Sequence, residues 1–175
     1  ARTAVTRITG RAYDQAFQEA ALQGVPVVFC MDRAGLVGSD GAVHHGFTDI
    51  AFLRTLPGFV LISPADEAEL ASALKLALRL ERPVAIRYPR DEVPEPLPGT
   101  ASAPMELGRA HRLREGGDGT ILALGAMAEH ALPAAGIAAD EAGLEVAVHS
   151  ARFAKPLDEE LIAELLAAGR SVMTV

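Results

Sequence analysis

The alternation of apolar runs with an amphipathic helix between residues 59 and 88 is the feature that most constrains the fold. Residues 59–62 and 83–88 have the length and composition of buried strands. Between them, apolar residues recur at helical spacing from Leu70 to Leu78, which predicts a helix with one apolar face. Strand, helix and strand in this order predict a parallel βαβ unit and an α/β fold.

The same rhythm extends in both directions along the chain. The composition of residues 1–10 suits a strand, and the acidic segment that begins at Ser63 predicts a helix start with that hydroxyl as its cap. Further strands are predicted over 25–30, 120–124, 144–148 and 171–175, and helices or helical turns over 11–22, 50–56, 127–141 and 157–168.

Composition divides the chain into two modules. Residues 91–106 include four prolines and little periodicity, which is typical of a linker. We predict a parallel-sheet domain over 1–90, a linker over 91–117 and the start of a second α/β domain over 118–175. Because the chain stops on a strand, the second domain is expected to be incomplete.

Charge and cysteine content exclude several function classes. A net charge of −7 argues against nucleic acid or an anionic membrane as the main partner, so any anionic ligand needs locally placed arginines. Cys30 is the single cysteine and lies in a predicted strand, so we expect an inert core thiol and a cytoplasmic protein. Without an apolar run of membrane-spanning length, no membrane segment is expected.

A polar loop, residues 32–49, follows the strand at 25–30. It holds four glycines, three acids and two histidines. Loops of this length inside a domain are usually functional or disordered. Titratable groups this dense at the carboxyl end of a strand predict a functional site.

Two arginines follow the ends of two predicted strands, Arg33 in this loop and Arg90 after the strand at 83–88. Ligands of open α/β sheets bind outside the carboxyl ends of strands, and arginine binds phosphate with a bidentate fork. The two arginines could therefore hold one anion. Equally, each could pair with a neighbouring acid such as Asp32 or Asp91.

His44 and His45 lie close to Asp40 and Asp49. Their spacing is compatible with an acid–base pair, a metal site or a solvated loop. A helical His-x-x-x-His or a cysteine pair that would complete a ligand set is missing, so no metal site is predicted.

Five motifs occur in order along the chain. They are Arg11-Ala-Tyr-Asp-Gln15, Asp32-Arg-Ala-Gly-Leu-Val-Gly-Ser-Asp-Gly41 with His44-His-Gly46, Ser63-Pro-Ala-Asp-Glu67, Arg87-Tyr-Pro-Arg90 and Arg152-Phe-Ala-Lys-Pro-Leu-Asp-Glu-Glu160. Together they resemble the motifs of the 1-deoxy-D-xylulose-5-phosphate synthases, a family of thiamine-diphosphate enzymes in the transketolase superfamily. The resemblance runs from about Arg11 to Val175.

The resemblance implies a pyrimidine-binding domain, then the start of a transketolase C-terminal domain. It implies thiamine diphosphate and Mg²⁺ as cofactors, pyruvate and D-glyceraldehyde 3-phosphate as substrates, a homodimer, and a role in isoprenoid-precursor and thiamine biosynthesis. Arg33 and Arg90 would hold the acceptor's phosphate, Asp40 and His44 would be catalytic residues lining the pocket, and Arg11 would lie beside the aminopyrimidine.

The sequence also departs from the family pattern. Val5-Thr-Arg-Ile8 stands where an aromatic segment is usual, and Asp91 replaces a glycine. The family's diphosphate-binding domain and its activating glutamate are not in the sequence, so we expect this chain alone to be inactive. The alternatives are a split transketolase-like subunit that needs a partner chain, and a non-catalytic module that binds a phosphorylated metabolite.

Overall fold

The computed structural model describes residues 2–5, 12–38, 40–41 and 44–175. These residues form two sheets; most neighbouring strands are parallel, and each sheet has one antiparallel edge strand, Phe153–Lys155 in the first and His111–Arg114 in the second. The predicted α/β class is therefore confirmed.

Most of the predicted elements are present within a few residues of their expected bounds. The strands are β1 Arg2–Val5, β2 Val27–Met31, β3 Val60–Ile62, β4 Val84–Arg87, β5 His111–Arg114, β6 Gly119–Ala123, β7 Val146–Ser150, β8 Phe153–Lys155 and β9 Ser171–Thr174. The helices are α1 Tyr13–Gln15, which continues as a π-helical segment over Ala16–Ala21, α2 Asp49–Leu53, α3 Glu67–Ala77, α4 Met127–Ala142 and α5 Glu159–Ala167.

The first sheet has the strand order β1-β2-β4-β3-β8 and is covered on both faces. Leu61 and Ala85 point to one face, which α1, its π-helical continuation and α2 cover. Ile62 and Val84 point to the other, where Ala73 of α3 packs. Burial on both faces explains why β3 and β4 are continuous apolar runs and not alternating ones.

The second sheet has the strand order β5-β7-β6-β9. Helix α4 packs on β6 and β7 through small side chains, and Ala128 and Ala135 are fully buried against Val148. Gly143 ends the helix in a left-handed conformation that glycine adopts without steric cost. The helix predicted over 127–141 is thus confirmed.

One strand of the first sheet comes from the second half of the chain. β8 pairs antiparallel with β3, with Lys155 opposite Leu61, and Phe153 is buried in the first domain's core. A three-residue strand is too short to be predicted from its own pattern, so β8 was not expected. Its position joins the two modules through backbone hydrogen bonds.

A buried ion pair lies at the same junction. Arg152 Nε donates to Glu69 Oε1 at 2.7 Å, and both side chains are almost fully enclosed. Glu69 also accepts from the Ala65 amide at 2.9 Å and from Ser150 Oγ at 3.0 Å. The carboxylate on α3 therefore binds both the first domain and the strand-end turn of the second.

The cap of α3 differs from the expected one. Asp66, and not Ser63, is the N-cap residue, and its carboxylate accepts from the Glu69 amide at 2.8 Å. The same carboxylate accepts from Thr100 Oγ1 at 2.5 Å and from the Leu97 amide at 3.1 Å. Ser63 Oγ is buried, with no hydrogen-bond partner in the part of the chain that the structure describes.

Strand β5 lies inside the range 91–117 that was predicted as a linker. It is an edge strand paired antiparallel with β7, and His111, Arg112 and Arg114 give it a polar sequence. A polar edge strand lacks the apolar pattern by which strands are recognised.

Within the described residues, no helix is both long and apolar enough to cross a membrane.

Candidate active site at the carboxyl ends of β2 and β4

Two neighbouring parallel strands end side by side in the first sheet. β2 pairs with β4 so that Met31 lies opposite Arg87, and the chain continues from these residues to Arg33 and Arg90. The Ala34 amide donates to the Tyr88 carbonyl at 3.0 Å, which holds the two continuing segments together. The structure thus brings the two arginines predicted from strand ends to one edge of the sheet.

Both guanidinium groups converge on the carboxylate of Asp40. Arg33 Nε donates to Asp40 Oδ2 at 2.6 Å, and Arg90 Nη1 donates to Asp40 Oδ1. Arg33 also pairs with Asp32 through Nη1. The predicted alternative of pairing with neighbouring acids thus holds for Asp32, whereas Asp40, the acid that joins both arginines, was not among the acids considered.

The charges in this cluster shift one another's protonation equilibria. Hydrogen bonds from Arg33, and then from Arg90, lower the pKa of Asp40 to about 2. The hydrogen bond to Asp40 raises the pKa of Arg33 above its ordinary value. Asp40 is therefore an anion, and Arg33 a cation, at any pH near neutrality.

The two histidines make different contacts. His44 Nδ1 lies 2.5 Å from the backbone carbonyl of Asp40, and a carbonyl only accepts, so this nitrogen carries the proton. His45 Nδ1 accepts from the Val37 amide at 2.9 Å, so its proton is on Nε2. The predicted pair of Asp40 and His44 is close in space, and its direct contact is through the Asp40 backbone.

Close backbone packing shapes the loop around these side chains. Arg33 has a positive φ of 60°, a conformation that costs a non-glycine residue free energy and is common at functional sites. The Gly46 amide donates to the Gly35 carbonyl at 2.8 Å. A Cβ atom on Gly46 would lie 2.6 Å from the Arg33 carbonyl oxygen, so only glycine fits there.

A second ion pair near the site was missed by sequence reasoning. Asp49, the first residue of α2, is buried, and its Oδ2 accepts from Arg87 Nε at 3.2 Å. Asp49 Oδ1 also accepts from the Ile50 amide at 2.9 Å. The sequence shows an acid at the start of a helix and an arginine at a strand end. This pattern alone does not predict that the two residues form an ion pair.

Arg11, predicted to lie near the cofactor, falls outside the described residues. Within the described ranges, three or more His, Cys, Asp or Glu side chains do not come together as a metal site.

Cys30 is half-buried, and burial raises the pKa of its thiol. Raising the thiol pKa makes the nucleophilic thiolate scarcer, as expected of a structural cysteine.

Two family models match the chain. The transketolase pyrimidine binding domain matches residues 5–96, and the transketolase C-terminal domain matches residues 108–175. The sheet edge with Arg33 and Arg90 therefore belongs to the pyrimidine-binding domain.

Similar proteins include 1-deoxy-D-xylulose-5-phosphate synthases from two bacteria. The Rhodopirellula baltica protein is 48% identical over 94% of this chain and 25% of its own length. The Magnetococcus marinus protein is 47% identical over 91% of this chain and 25% of its own length. The chain thus spans about a quarter of the length of these curated relatives.

Two solved structures are also similar. A split-gene transketolase, described as an inactive β4 tetramer, matches 99% of this chain and 56% of its own with a TM-score of 0.88 and 34% identity. Transketolase from Leishmania mexicana shares the fold, with a TM-score of 0.82 and 24% identity over 99% of this chain and 26% of its own. Together with the two domain matches, these findings show that the chain belongs to the transketolase family.

Proposed function

We propose that this chain is part of a thiamine-diphosphate-dependent synthase. The reaction condenses pyruvate with D-glyceraldehyde 3-phosphate, with loss of CO₂, to give 1-deoxy-D-xylulose 5-phosphate. The relatives that match 91–94% of the chain at 47–48% identity have this activity as their name. In this proposal the chain contributes the binding site for the acceptor's phosphate.

The convergence of Arg33 and Arg90 on one carboxylate supports this assignment. Two guanidinium groups that reach both oxygens of one carboxylate can also reach two oxygens of a phosphate. Phosphate oxygens, like carboxylate oxygens, are negatively charged and are similarly spaced. The Arg90 side chain is about half exposed, so a ligand can approach it from solvent. We therefore assign Arg33 and Arg90 to the phosphate and regard Asp40 as the anion that occupies their forks before the ligand binds.

His44 is the proposed acid–base residue, and Asp40 is the proposed residue that positions it. Because Nδ1 of His44 donates to the Asp40 carbonyl, Nε2 of the neutral ring is an acceptor that can take a proton from a substrate hydroxyl. Asp40 holds the ring in this tautomer through its backbone. Asp40 is thereby a positioning residue for His44 as well as a partner of both arginines.

The cofactor assignment follows from the family. Thiamine diphosphate, when bound, supplies the electron sink for the decarboxylation of pyruvate. The matched pyrimidine-binding domain is the reason to place its aminopyrimidine beside this domain, with Arg11 as the proposed neighbour. We also propose Mg²⁺ as a cofactor, and assign it no ligand among the described residues, where no group of ligating side chains is found.

A split-subunit enzyme is the second candidate. The similar structure of a split-gene transketolase at 34% identity favours it. The synthase proposal expects a homodimer of one long polypeptide, whereas the split-subunit candidate expects a separately encoded partner chain. The intact mass of the protein isolated from its source cells, with identification of co-purifying chains, decides between the two.

Turnover of two acceptors tests the phosphate assignment. In the Arg33→Met and Arg90→Met variants, we expect the KM for D-glyceraldehyde 3-phosphate to be roughly 10-fold or more above that of the wild-type protein isolated from its source. The KM for D-glyceraldehyde, which lacks the phosphate, is expected to stay unchanged.

Arg82→Met is the matched control, because Arg82 is exposed and precedes β4, whereas Arg90 follows it. Equal losses for both acceptors would overturn the assignment of the arginines to phosphate. A wild-type protein without synthase activity toward pyruvate and D-glyceraldehyde 3-phosphate would overturn the proposed reaction.

A further inference from the structure

Lys155 is far from the arginines in sequence, yet it contacts the C-terminal end of α2. Helix α2 directly follows the site loop, by which we mean residues 32–48. Lys155 Nζ lies 2.6 Å from the Leu56 carbonyl and 3.0 Å from the Arg54 carbonyl. Arg54 is the C-cap residue of α2, and Leu56 lies two residues further along the chain. Carbonyl groups at a helix end have no intrahelical partner, and a cation there is favourable to the helix dipole.

The other end of α2 is tied to the strand that carries Arg90. Asp49, at the start of α2, binds Arg87 at the end of β4. Tyr88, the next residue, accepts through its carbonyl from the amide of Ala34, beside Arg33. A chain of direct contacts therefore runs from Lys155, through five-residue α2, to both arginines of the phosphate site.

The choice of lysine fits these two carbonyls. The chain has fourteen arginines and only two lysines, Lys75 and Lys155. An ammonium group is compact and has three donors that rotate freely, so it can reach two carbonyls that lie two residues apart. The planar fork of arginine suits a carboxylate or a phosphate better than this arrangement.

We propose that Lys155 is a positioning residue for the phosphate site: it fixes the end of α2, and thereby the exit of the site loop, from strand β8. This inference rests on the proposed function. Its consequence is that the C-terminal half of the chain, which contributes β8, controls the affinity of a site built entirely from the N-terminal half. Partial burial, with Arg54 nearby, lowers the pKa of Lys155, which agrees with an amine held against the end of α2.

Coupling between two sites is reciprocal, and this gives a direct test. If Lys155 holds the loop in its binding conformation, a bound phosphate must in turn hold Lys155 on its carbonyls. The amine lines a surface groove of about 400 Å³ with Arg54, Pro156 and Leu157, so a small acylating reagent can reach it. The exposed Lys75, on the far end of α3, is an internal control in the same molecule.

The experiment is pulsed acetylation of the isolated protein with and without glycerol 3-phosphate, which has the phosphate of the proposed acceptor but no aldehyde. Mass spectrometry of the two lysine peptides measures each rate. We expect saturating glycerol 3-phosphate to slow acetylation of Lys155 by about 5-fold or more, the lower end of typical coupling between sites, and to leave Lys75 unchanged. A Lys155 rate that is the same in both conditions would overturn the inference.

Variants complete the test. Lys155→Met is expected to weaken glycerol 3-phosphate binding by about 5-fold or more, and Lys75→Met to leave it unchanged. If Arg90→Met weakens binding but Lys155→Met does not, the phosphate site stands and the role of Lys155 is wrong. If Arg90→Met also binds as tightly as wild type, the proposed site fails and the inference fails with it. The acetylation rates need only the wild-type protein, so they decide the question even if Lys155→Met does not fold.

Discussion

The chain uses the same pair of chemical groups, arginine and carboxylate, in two regions with opposite environments. At the domain junction, the side chains of Arg152 and Glu69 are 3% and 0% exposed. At the sheet edge, those of Arg90 and Asp40 are 51% and 17% exposed. An enclosed pair must stay paired, because each charge has lost its water, whereas an open pair can exchange its partner for a ligand. Burial therefore separates the structural pair from the proposed binding site.

The junction should show the largest loss of stability. Arg152→Met leaves the Glu69 carboxylate buried without its cation, and breaking a buried pair in this way costs roughly 3–5 kcal/mol. We expect that decrease in the free energy of unfolding, measured by urea denaturation. Lys75→Met, which removes an exposed cation from the same helix that holds Glu69, is the control. A decrease below about 1 kcal/mol would mean that the junction behaves like a surface pair.

The site should show a change in affinity and little change in stability. In Asp40→Asn, the carboxylate no longer competes for Arg33 and Arg90, so binding of glycerol 3-phosphate should tighten by roughly 2- to 5-fold, the range typical of exposed ion pairs. Isothermal titration at two salt concentrations measures this gain, which should shrink at the higher concentration because exposed charges are screened.

Asp91→Asn is the matched control for this gain. It also removes one negative charge next to Arg90 in the chain. The Asp91 carboxylate accepts from the Glu92 amide, so we expect Asp91→Asn to bind glycerol 3-phosphate as tightly as wild type. If Asp40→Asn binds glycerol 3-phosphate more weakly than wild type, Asp40 contacts the ligand favourably and is not its competitor.

The smallest expected effect is a dependence of stability on pH. Since the pKa of Asp40 falls to about 2 in the folded protein, its contribution to stability is present above about pH 4 and is lost as the pH falls toward 2. The difference in unfolding free energy between wild type and Asp40→Asn should therefore shrink by about half by pH 3 or so. Paired urea titrations at about pH 5 and pH 3 measure it. A difference that is constant over this range would contradict the lowered pKa.

The sequence was informative where a local pattern decides the structure. Helix α4 has an apolar repeat and a terminal Gly143, and β3 and β4 are uninterrupted apolar runs, so their positions followed from periodicity. The meeting of Arg33 and Arg90 followed from a general rule, that adjacent parallel strands present their carboxyl ends at one edge.

Features that depend on distant parts of the chain could not be predicted in this way. β8 is a strand because β3 is beside it, and three residues carry no period of their own. The Glu69–Arg152 pair joins residues 83 positions apart, and either residue alone resembles an ordinary surface charge. Asp40 lies within the predicted loop, but its position between two arginines depends on the loop conformation, which composition does not specify.

The most direct test of the proposed phosphate site is the affinity for glycerol 3-phosphate of wild type, Arg33→Met, Arg90→Met and the double variant. We predict that each single substitution weakens binding by roughly 10-fold or more, and that the double variant loses less than the product of the two, because both arginines hold one anion. An Arg33→Met or Arg90→Met protein that binds glycerol 3-phosphate as tightly as wild type would contradict the site.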